Sequence, residues 1–212
     1  MATTEPSDRA RAVLDRHGKT YAEQAGIKLS DKPSALYRLL VLSMLLSARI
    51  DAGIATAAAR ELSKAGFRTP ERMAAATWQQ RVDALGRGHY RRYDERTSTM
   101  LGDGAQLLLD DYAGDLRRLH GAATSTRQLE SLIQRFPGVG PTGSAIFCRE
   151  VQGVWPDVAP YADRRVHDGA RKLGLPESAE KLAELVPNAE FPRLTAACVR
   201  AALDPSIADD LP

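Results

Sequence analysis

The chain has 212 residues, of which 43% are hydrophobic and 6% aromatic, enough for the core of one globular domain or of two small lobes. Its net charge of +2 is mildly basic, so bulk electrostatics permits a nucleic-acid partner without requiring one. The apolar stretch from Leu36 to Ala48 falls short of the roughly 20 residues that cross a bilayer. The polar N-terminus is unlike a signal peptide. These features exclude a membrane protein and predict a cytoplasmic one.

Alanine, leucine and arginine dominate the segments between Pro and Gly residues, which favours helix over strand and predicts an all-α fold. We expect residues 1–7 to be a disordered lead-in. Periodicity and capping signals predict helices over about 8–25, 34–48, 52–65, a short one from 70, 78–85, a long one ending at 112, 126–136, 142–151, 163–174, 177–185 and 192–203. The helix over 34–48 has almost no polar face, which marks it as central and buried.

The cysteine and histidine positions argue against a metal centre. Cys148 and Cys198 are the two cysteines and lie fifty positions apart, so this chain alone cannot supply a four-cysteine iron-sulfur or zinc site. The four histidines are scattered without metal-ligand spacing. We therefore predict buried thiols and no catalytic metal.

The segment from Phe136 to Gly140 reads Phe-Pro-Gly-Val-Gly and joins two predicted helices. Its glycines allow a compact turn with backbone amides facing outward. The free N–H groups from Gly140 to Gly143, together with the helix dipole, then form a site for one DNA phosphate. Such a contact positions DNA without reading its sequence. The alternative is an ordinary turn between two helices.

Three segments together resemble the endonuclease III family of helix-hairpin-helix (HhH-GPD) DNA glycosylases: Leu129 to Leu175, the run LLSARID at 45–51, and the turn Gly88-His89-Tyr90. The resemblance covers most of residues 35–175. It implies a two-lobed all-α helix-hairpin-helix glycosylase fold. A six-helix barrel is expected over 34–150, and a second helical lobe from both termini is expected over 8–33 plus 151–212.

The resemblance also implies a catalytic residue. Asp163 follows the hairpin by some twenty residues and matches the catalytic aspartate of the family. Cleavage of an N-glycosidic bond builds positive charge on the deoxyribose, which a fixed carboxylate stabilises, or the carboxylate orients a water. The target base must be extruded from the duplex, and Arg49 and His89 match the positions that fill the gap. The alternatives are a plain N-cap for Asp163 and solvated surface roles for Arg49 and His89.

We expect DNA contacts from residues in and around these turns. They are Gly138, Val139, Gly140, Thr142, Gly143, Arg49, His89, Arg87, Arg91, Arg164 and Arg165.

Thr142 stands where strand-cutting members of the family carry a Schiff-base lysine. Threonine has no amine, so the resemblance implies a monofunctional enzyme that leaves an abasic site. The C-terminal cysteine cluster of the family is absent as well, which implies no iron-sulfur cluster. The resemblance further implies that the backbone carbonyls of Gln134, Phe136 and Val139 hold a structural monovalent cation, K⁺ or Na⁺. Leu42 or an apolar neighbour replaces the second acidic residue of the adenine-excising branch, which disfavours that substrate.

The leading hypothesis is a monomeric hydrolase of base excision repair that releases a damaged or mismatched base from double-stranded DNA, with uracil or thymine opposite guanine as the candidate substrate. Its expected location is the cytoplasm, associated with the nucleoid if the source is bacterial. Two alternatives remain. One is a noncatalytic helix-hairpin-helix DNA-binding protein, and the other is a bifunctional glycosylase and lyase that uses a displaced lysine.

Overall fold

The computed structural model describes residues 5–209, and within them every regular element is a helix, which confirms the all-α prediction. The helices are α1 (Pro6–His17), α2 (Tyr21–Gln24), α3 (Pro33–Ser47), α4 (Ala52–Lys64), α5 (Pro70–Ala75), α6 (Trp78–Arg87), α7 (Asp94–Tyr112), α8 (Leu116–Gly121), α9 (Thr126–Ile133), α10 (Pro141–Val151), α11 (Arg164–Lys172), α12 (Ala179–Ala183), a 3-10 turn (Asn188–Glu190), α13 (Phe191–Leu203) and α14 (Ser206–Asp209). None of these helices is both long enough and apolar enough to cross a membrane.

The N-terminal helix differs from its prediction over 8–25. The first helix ends at His17, because the backbone leaves the helical conformation at its C-cap Gly18 (ψ 11°), and α2 follows as a separate turn. The predicted lead-in over 1–7 is also too long. Pro6 and Ser7 already belong to α1, where proline suits the first turn, and residues 1–4 lie outside the described part of the chain.

Backbone contacts divide the chain into two compact units. The larger unit is Ala22–Val151, and the smaller unit combines the described residues up to Tyr21 with those from Gln152 onward. Residues 22–33, predicted as part of the second lobe, lie in the larger unit. The backbone N–H of Ala22 donates to the buried carboxylate of Glu150 at 3.0 Å, which ties this segment to α10.

The core of the larger unit is built around α3. Leu36, Leu39 and Leu42 in this helix are completely buried, as its lack of a polar face predicted. The helix packs against α4 and α10. Burial of each leucine side chain contributes about 1.5–3 kcal/mol. Thus α10, the second helix of the hairpin, is fixed to the most apolar helix of the chain.

A buried cation joins three other helices of the larger unit. The Arg81 side chain donates to the carbonyl oxygens of Met73 (3.0 Å), Ala76 (2.7 Å) and Ser98 (2.9 Å). These bonds occupy carbonyls at the C-terminal end of α5 and inside α7, so Arg81 replaces the water that burial removes from them. The arginine therefore fixes α7 against α5 and α6.

The smaller unit is organised by the packing of α11 on α13. A Cβ at Gly169 would lie 1.8 Å from the carbonyl oxygen of Cys198, so the two helices meet at a point where only glycine fits. The N-terminal segment is tied to α13 by Arg200, which donates to the carbonyl of His17 at 2.8 Å.

Cys148 and Cys198 are buried free thiols, as predicted, and burial raises the pKa of Cys198 to about 12.

Candidate nucleic-acid interface and active site

The predicted hairpin lies in the larger unit between α9 and α10. Phe136 and Val139 are buried, and the Val139 N–H donates to the Phe136 carbonyl at 3.0 Å, which closes the turn. Gly138 has φ +81°, a conformation that other residues adopt at a cost, and a Cβ there would lie 2.8 Å from the Met100 sulfur. The buried pair thus anchors a turn in which Gly138 and Gly140 are exposed.

The first turn of α10 presents three backbone donors over residues 140–143, where free N–H groups were predicted. Pro141 has no N–H, and the first helical hydrogen bond runs from Ser144 to the Gly140 carbonyl at 3.0 Å. The amides of Gly140, Thr142 and Gly143 remain as donors to an anion, beside the positive end of the helix dipole. Thr142 is exposed here and Gly143 is buried.

The Gln134 side chain stiffens the hairpin from within. Its amide donates to the Ser144 hydroxyl at 2.9 Å, and that hydroxyl donates to the Pro141 carbonyl at 3.1 Å. This relay joins the end of α9 to the first turn of α10.

Residues 5–209 contain no group of three or more His, Cys, Asp or Glu side chains placed to hold a metal ion.

His89 forms the end of α6 in a strained conformation. Its φ is +64°, its N–H donates to the Gly86 carbonyl at 3.0 Å, and the Tyr90 N–H donates to the Leu85 carbonyl at 3.1 Å. This pair of bonds is a Schellman motif, in which glycine usually takes the left-handed position. Here the left-handed residue is an exposed histidine, and strain of this kind points to a role beyond the fold.

The ring of Tyr90 is the buried anchor of the same turn. It is 2% exposed, and its hydroxyl lies 3.3 Å from the Thr97 hydroxyl at the start of α7. Burial raises the pKa of Tyr90. The turn is also fixed at Gly88, where a Cβ would lie 2.4 Å from the Cα of Ala58 in α4. The exposed His89 side chain therefore stands on a rigid base.

A pocket of about 310 Å³ lies beside this turn in the larger unit. Its walls include Arg49, Tyr90, Tyr93, Arg96, Met100 and Gly138. Arg49, which was predicted as a site residue, and the hairpin glycine Gly138 thus line the same pocket. Tyr90, the sequence neighbour of His89, lines it too. Tyr93 and Met100 were not predicted as site residues. A tyrosine among the arginines before α7 was the available signal, and the Arg92 guanidinium lies 5.2 Å from the Tyr93 ring centre.

The two flanking arginines of this turn differ. Arg87 is half exposed and lies 3.6 Å from the Glu61 carboxylate. Arg91 is exposed. A phosphate contact from Arg87 would compete with this ion pair. The competition is weak, because surface ion pairs of this kind contribute at most about 1 kcal/mol to stability.

Asp163 lies in the smaller unit, at the N-cap of α11. Its Oδ1 accepts the Val166 N–H at 3.1 Å, so the capping role that was the alternative prediction is present. The loop before it is held by Gln152, whose side chain accepts the Tyr161 N–H at 2.8 Å and donates to the Tyr161 carbonyl at 3.1 Å. Gln152 is buried and fixes the approach to Asp163. Its role was not predicted, since no local sequence pattern marks such a pairing.

The cations after Asp163 lie on α11. The Arg164 side chain is 94% exposed, and Arg165 is also exposed. Lys172, the lysine nearest Asp163 in sequence, donates to the carbonyl of Ala202 in α13 at 2.8 Å. Its ammonium is therefore held at the opposite end of α11 from Asp163.

No protein-family model and no curated protein sequence matches the chain. Solved structures of similar fold do exist. A non-covalent endonuclease III–DNA complex superposes with a TM-score of 0.51 at 16% identity, over 95% of this chain and 86% of that chain. A trapped endonuclease III–DNA covalent intermediate, an estranged-adenine complex, gives 0.49 at 19% identity with the same coverage. The likeness at a TM-score of 0.51 shows that this chain has the fold of endonuclease III.

Proposed function

Because the chain has the fold of endonuclease III, we propose that it is a monofunctional DNA glycosylase of base excision repair. It acts as a monomer on double-stranded DNA and hydrolyses the bond between deoxyribose and a damaged or mismatched base. Uracil or thymine opposite guanine is the first substrate to test. The observation that carries the proposal is the hairpin at 136–140, whose exposed Gly138 lines the same pocket as Arg49.

The hairpin supplies the phosphate contact. Amides of Gly140, Thr142 and Gly143 converge at the first turn of α10, and the dipole of that helix favours an anion there. The buried side chains of Phe136 and Val139 keep the turn fixed before DNA arrives. Preorganised donors lose little entropy on binding, which suits a contact that sets the register of the duplex.

A cation would strengthen this contact. We assign K⁺ or Na⁺ to the carbonyls of Gln134, Phe136 and Val139, which are the oxygen donors such ions prefer. The Phe136 carbonyl accepts one hydrogen bond and has a second lone pair for the ion. An ion held by these carbonyls would add positive charge near the phosphate contact and would have a structural role.

Asp163 supplies the chemistry. Base departure leaves positive charge on the sugar, and a carboxylate held in place stabilises that charge without having to reorganise. The cap bond to Val166 and the Gln152 brace fix the position of this carboxylate. A water oriented by the carboxylate then completes hydrolysis, and the products are a free base and an abasic site.

Strand cleavage through an imine requires an amine, and the sequence has none at the position of the family lysine. Thr142 occupies the position of the family lysine and has only a hydroxyl. Lys172 is held by the Ala202 carbonyl. We therefore expect wild-type protein to release base from a duplex and to leave a strand that breaks only after alkali treatment.

This expectation is tested on duplexes that carry uracil, thymine mismatches, alkylated purines or oxidised bases. Free base is measured directly, and strand breaks are measured with and without alkali. Breaks that appear without alkali, together with borohydride trapping of a covalent complex, would support the lyase alternative. Duplex binding without release of any base would support the noncatalytic alternative, for which the capping bond of Asp163 is a sufficient structural role.

The strained His89 gives a second test. Replacing it with glycine removes the left-handed strain, which costs roughly 1 kcal/mol in a residue with a Cβ, and removes the side chain proposed to fill the gap. We expect His89→Gly to be at least as stable as wild type in urea and to release base about tenfold more slowly or worse. His89→Asn is the control, since asparagine tolerates this conformation. Unchanged release by both variants would remove His89 from the proposed interface.

A further inference from the structure

A basic groove lies in the smaller unit, on the face of α11 that meets the end of α13. It has a volume of about 570 Å³ and is lined by Arg164, Arg165, Asp168, Arg171, Lys172 and Ala202. Four cationic side chains and one carboxylate therefore line it. These α11 positions fall on one face of about 120°, as expected for 3.6 residues per turn.

The cations differ in how far they are already neutralised. Arg171 forms a two-bond pair with Glu177, at 2.6 and 3.1 Å, and lies 3.4 Å from Asp168. Arg165 is exposed, and within residues 5–209 its side chain has no ion-pair partner. Lys172 gives one of its three donors to the Ala202 carbonyl and bears no ion pair with the described residues. Uncompensated positive charge is thus concentrated on Arg165 and Lys172.

The spacing of these two cations fits a nucleic-acid strand. Seven helical residues separate Arg165 from Lys172, which places them about 10 Å apart along the axis and on the same side of α11. Phosphates of one strand recur about every 3.4 Å along a duplex axis, so the groove matches about three phosphate intervals. Lys172 is held by Ala202, which lowers the entropy lost when it binds an anion.

We propose that this groove binds backbone phosphates of duplex DNA that flank the target nucleotide. The inference rests on the proposed function, because Asp163 caps the same helix and Arg164 begins the groove one residue later. DNA whose target sugar reaches Asp163 has its adjoining backbone next to α11. Arg165 and Lys172 bind the phosphates, and the Arg171–Glu177 pair forms a wall of the groove without net charge.

The test is the salt dependence of binding to an undamaged fluorescent duplex, measured by anisotropy with the full chain. Removal of one cation that binds a phosphate should reduce the slope of log affinity against log salt by about 0.9. Arg165→Ala and Lys172→Ala should each show this reduction, and the double variant should lower the slope by about 1.8. Binding near 0.1 M salt should weaken by roughly tenfold per substitution. Arg165→Lys should restore most of the slope.

Two further variants make the test specific. Lys181→Ala removes an exposed lysine of α12 in the same unit that does not line the groove, and should leave the slope unchanged. Asp168→Asn removes the groove's carboxylate and releases Arg164 and Arg171 from it, so binding should become tighter. Thermal melting confirms that each variant is folded.

The outcomes separate the two proposals. A wild-type protein that binds the duplex, with slopes unchanged in the folded double variant, would overturn the groove as a DNA site and favour another anionic ligand. A wild-type protein that binds no duplex would overturn the proposed function together with the groove. Reduced slopes in the groove variants alone would support the inference even where no excised base has been identified.

Discussion

Replacing Asp163 with asparagine is expected to lower base release by a hundredfold or more, on the order found when one preorganised electrostatic group is removed from an active site. Asparagine has nearly the same shape and is as good an N-cap as aspartate. The α11 helix should therefore keep its start, and duplex binding should stay close to that of wild type. The measurement is single-turnover release of base from the best substrate of the panel.

Asp163→Ala provides the matched comparison. Alanine removes both the charge and the bond to Val166, so this variant should lose activity and about 1 kcal/mol of stability as well. The asparagine variant should lose activity alone. If Asp163→Asn released base at the wild-type rate, Asp163 would be only a cap, and the catalytic group would have to be sought elsewhere.

The largest effect on stability is expected for Gly169→Ala. The new Cβ would be built 1.8 Å from the carbonyl oxygen of Cys198, which is backbone and cannot rotate away. Relief requires α11 to move off α13, with loss of packing across the core of the smaller unit. We expect the free energy of unfolding to fall by at least about 3 kcal/mol, as measured by urea denaturation.

Gly86→Ala is the control for this change. Gly86 lies within α6, and a Cβ there would meet no atom within 4 Å. The same substitution should therefore stabilise the chain by roughly 0.5–1 kcal/mol, because alanine is the better helix former. Equal stability of Gly169→Ala and wild type would mean that α11 and α13 do not approach each other this closely.

The helices and the hairpin were predictable because their signals are local. The apolar α3, the capping residues before α9 and α11, and the Pro-Gly stop at 137–138 each follow from a few adjacent residues. Short helices were harder. The six-residue α8 has too few turns to show a period.

The candidate site was predictable only in part, for the same physical reason. Asp163 and Thr142 were selected through their place in a family pattern, and the cap at Asp163 was an explicit alternative. Contacts between distant residues left no pattern to find. The Gln152 brace on Tyr161 and the concavity that joins Arg49 to Gly138 depend on how helices pack, which sequence spacing does not specify.

The capping bond of Asp163 has an evolutionary consequence. For the cap alone, serine, threonine and asparagine serve about as well as aspartate, so drift among them would cost the fold little. Chains of this fold in which the residue serves only as a cap should therefore show a mixture of these four residues at the start of the matching helix. Chains in which it has the catalytic role proposed for Asp163 should show aspartate alone, and this difference would test that role before any assay.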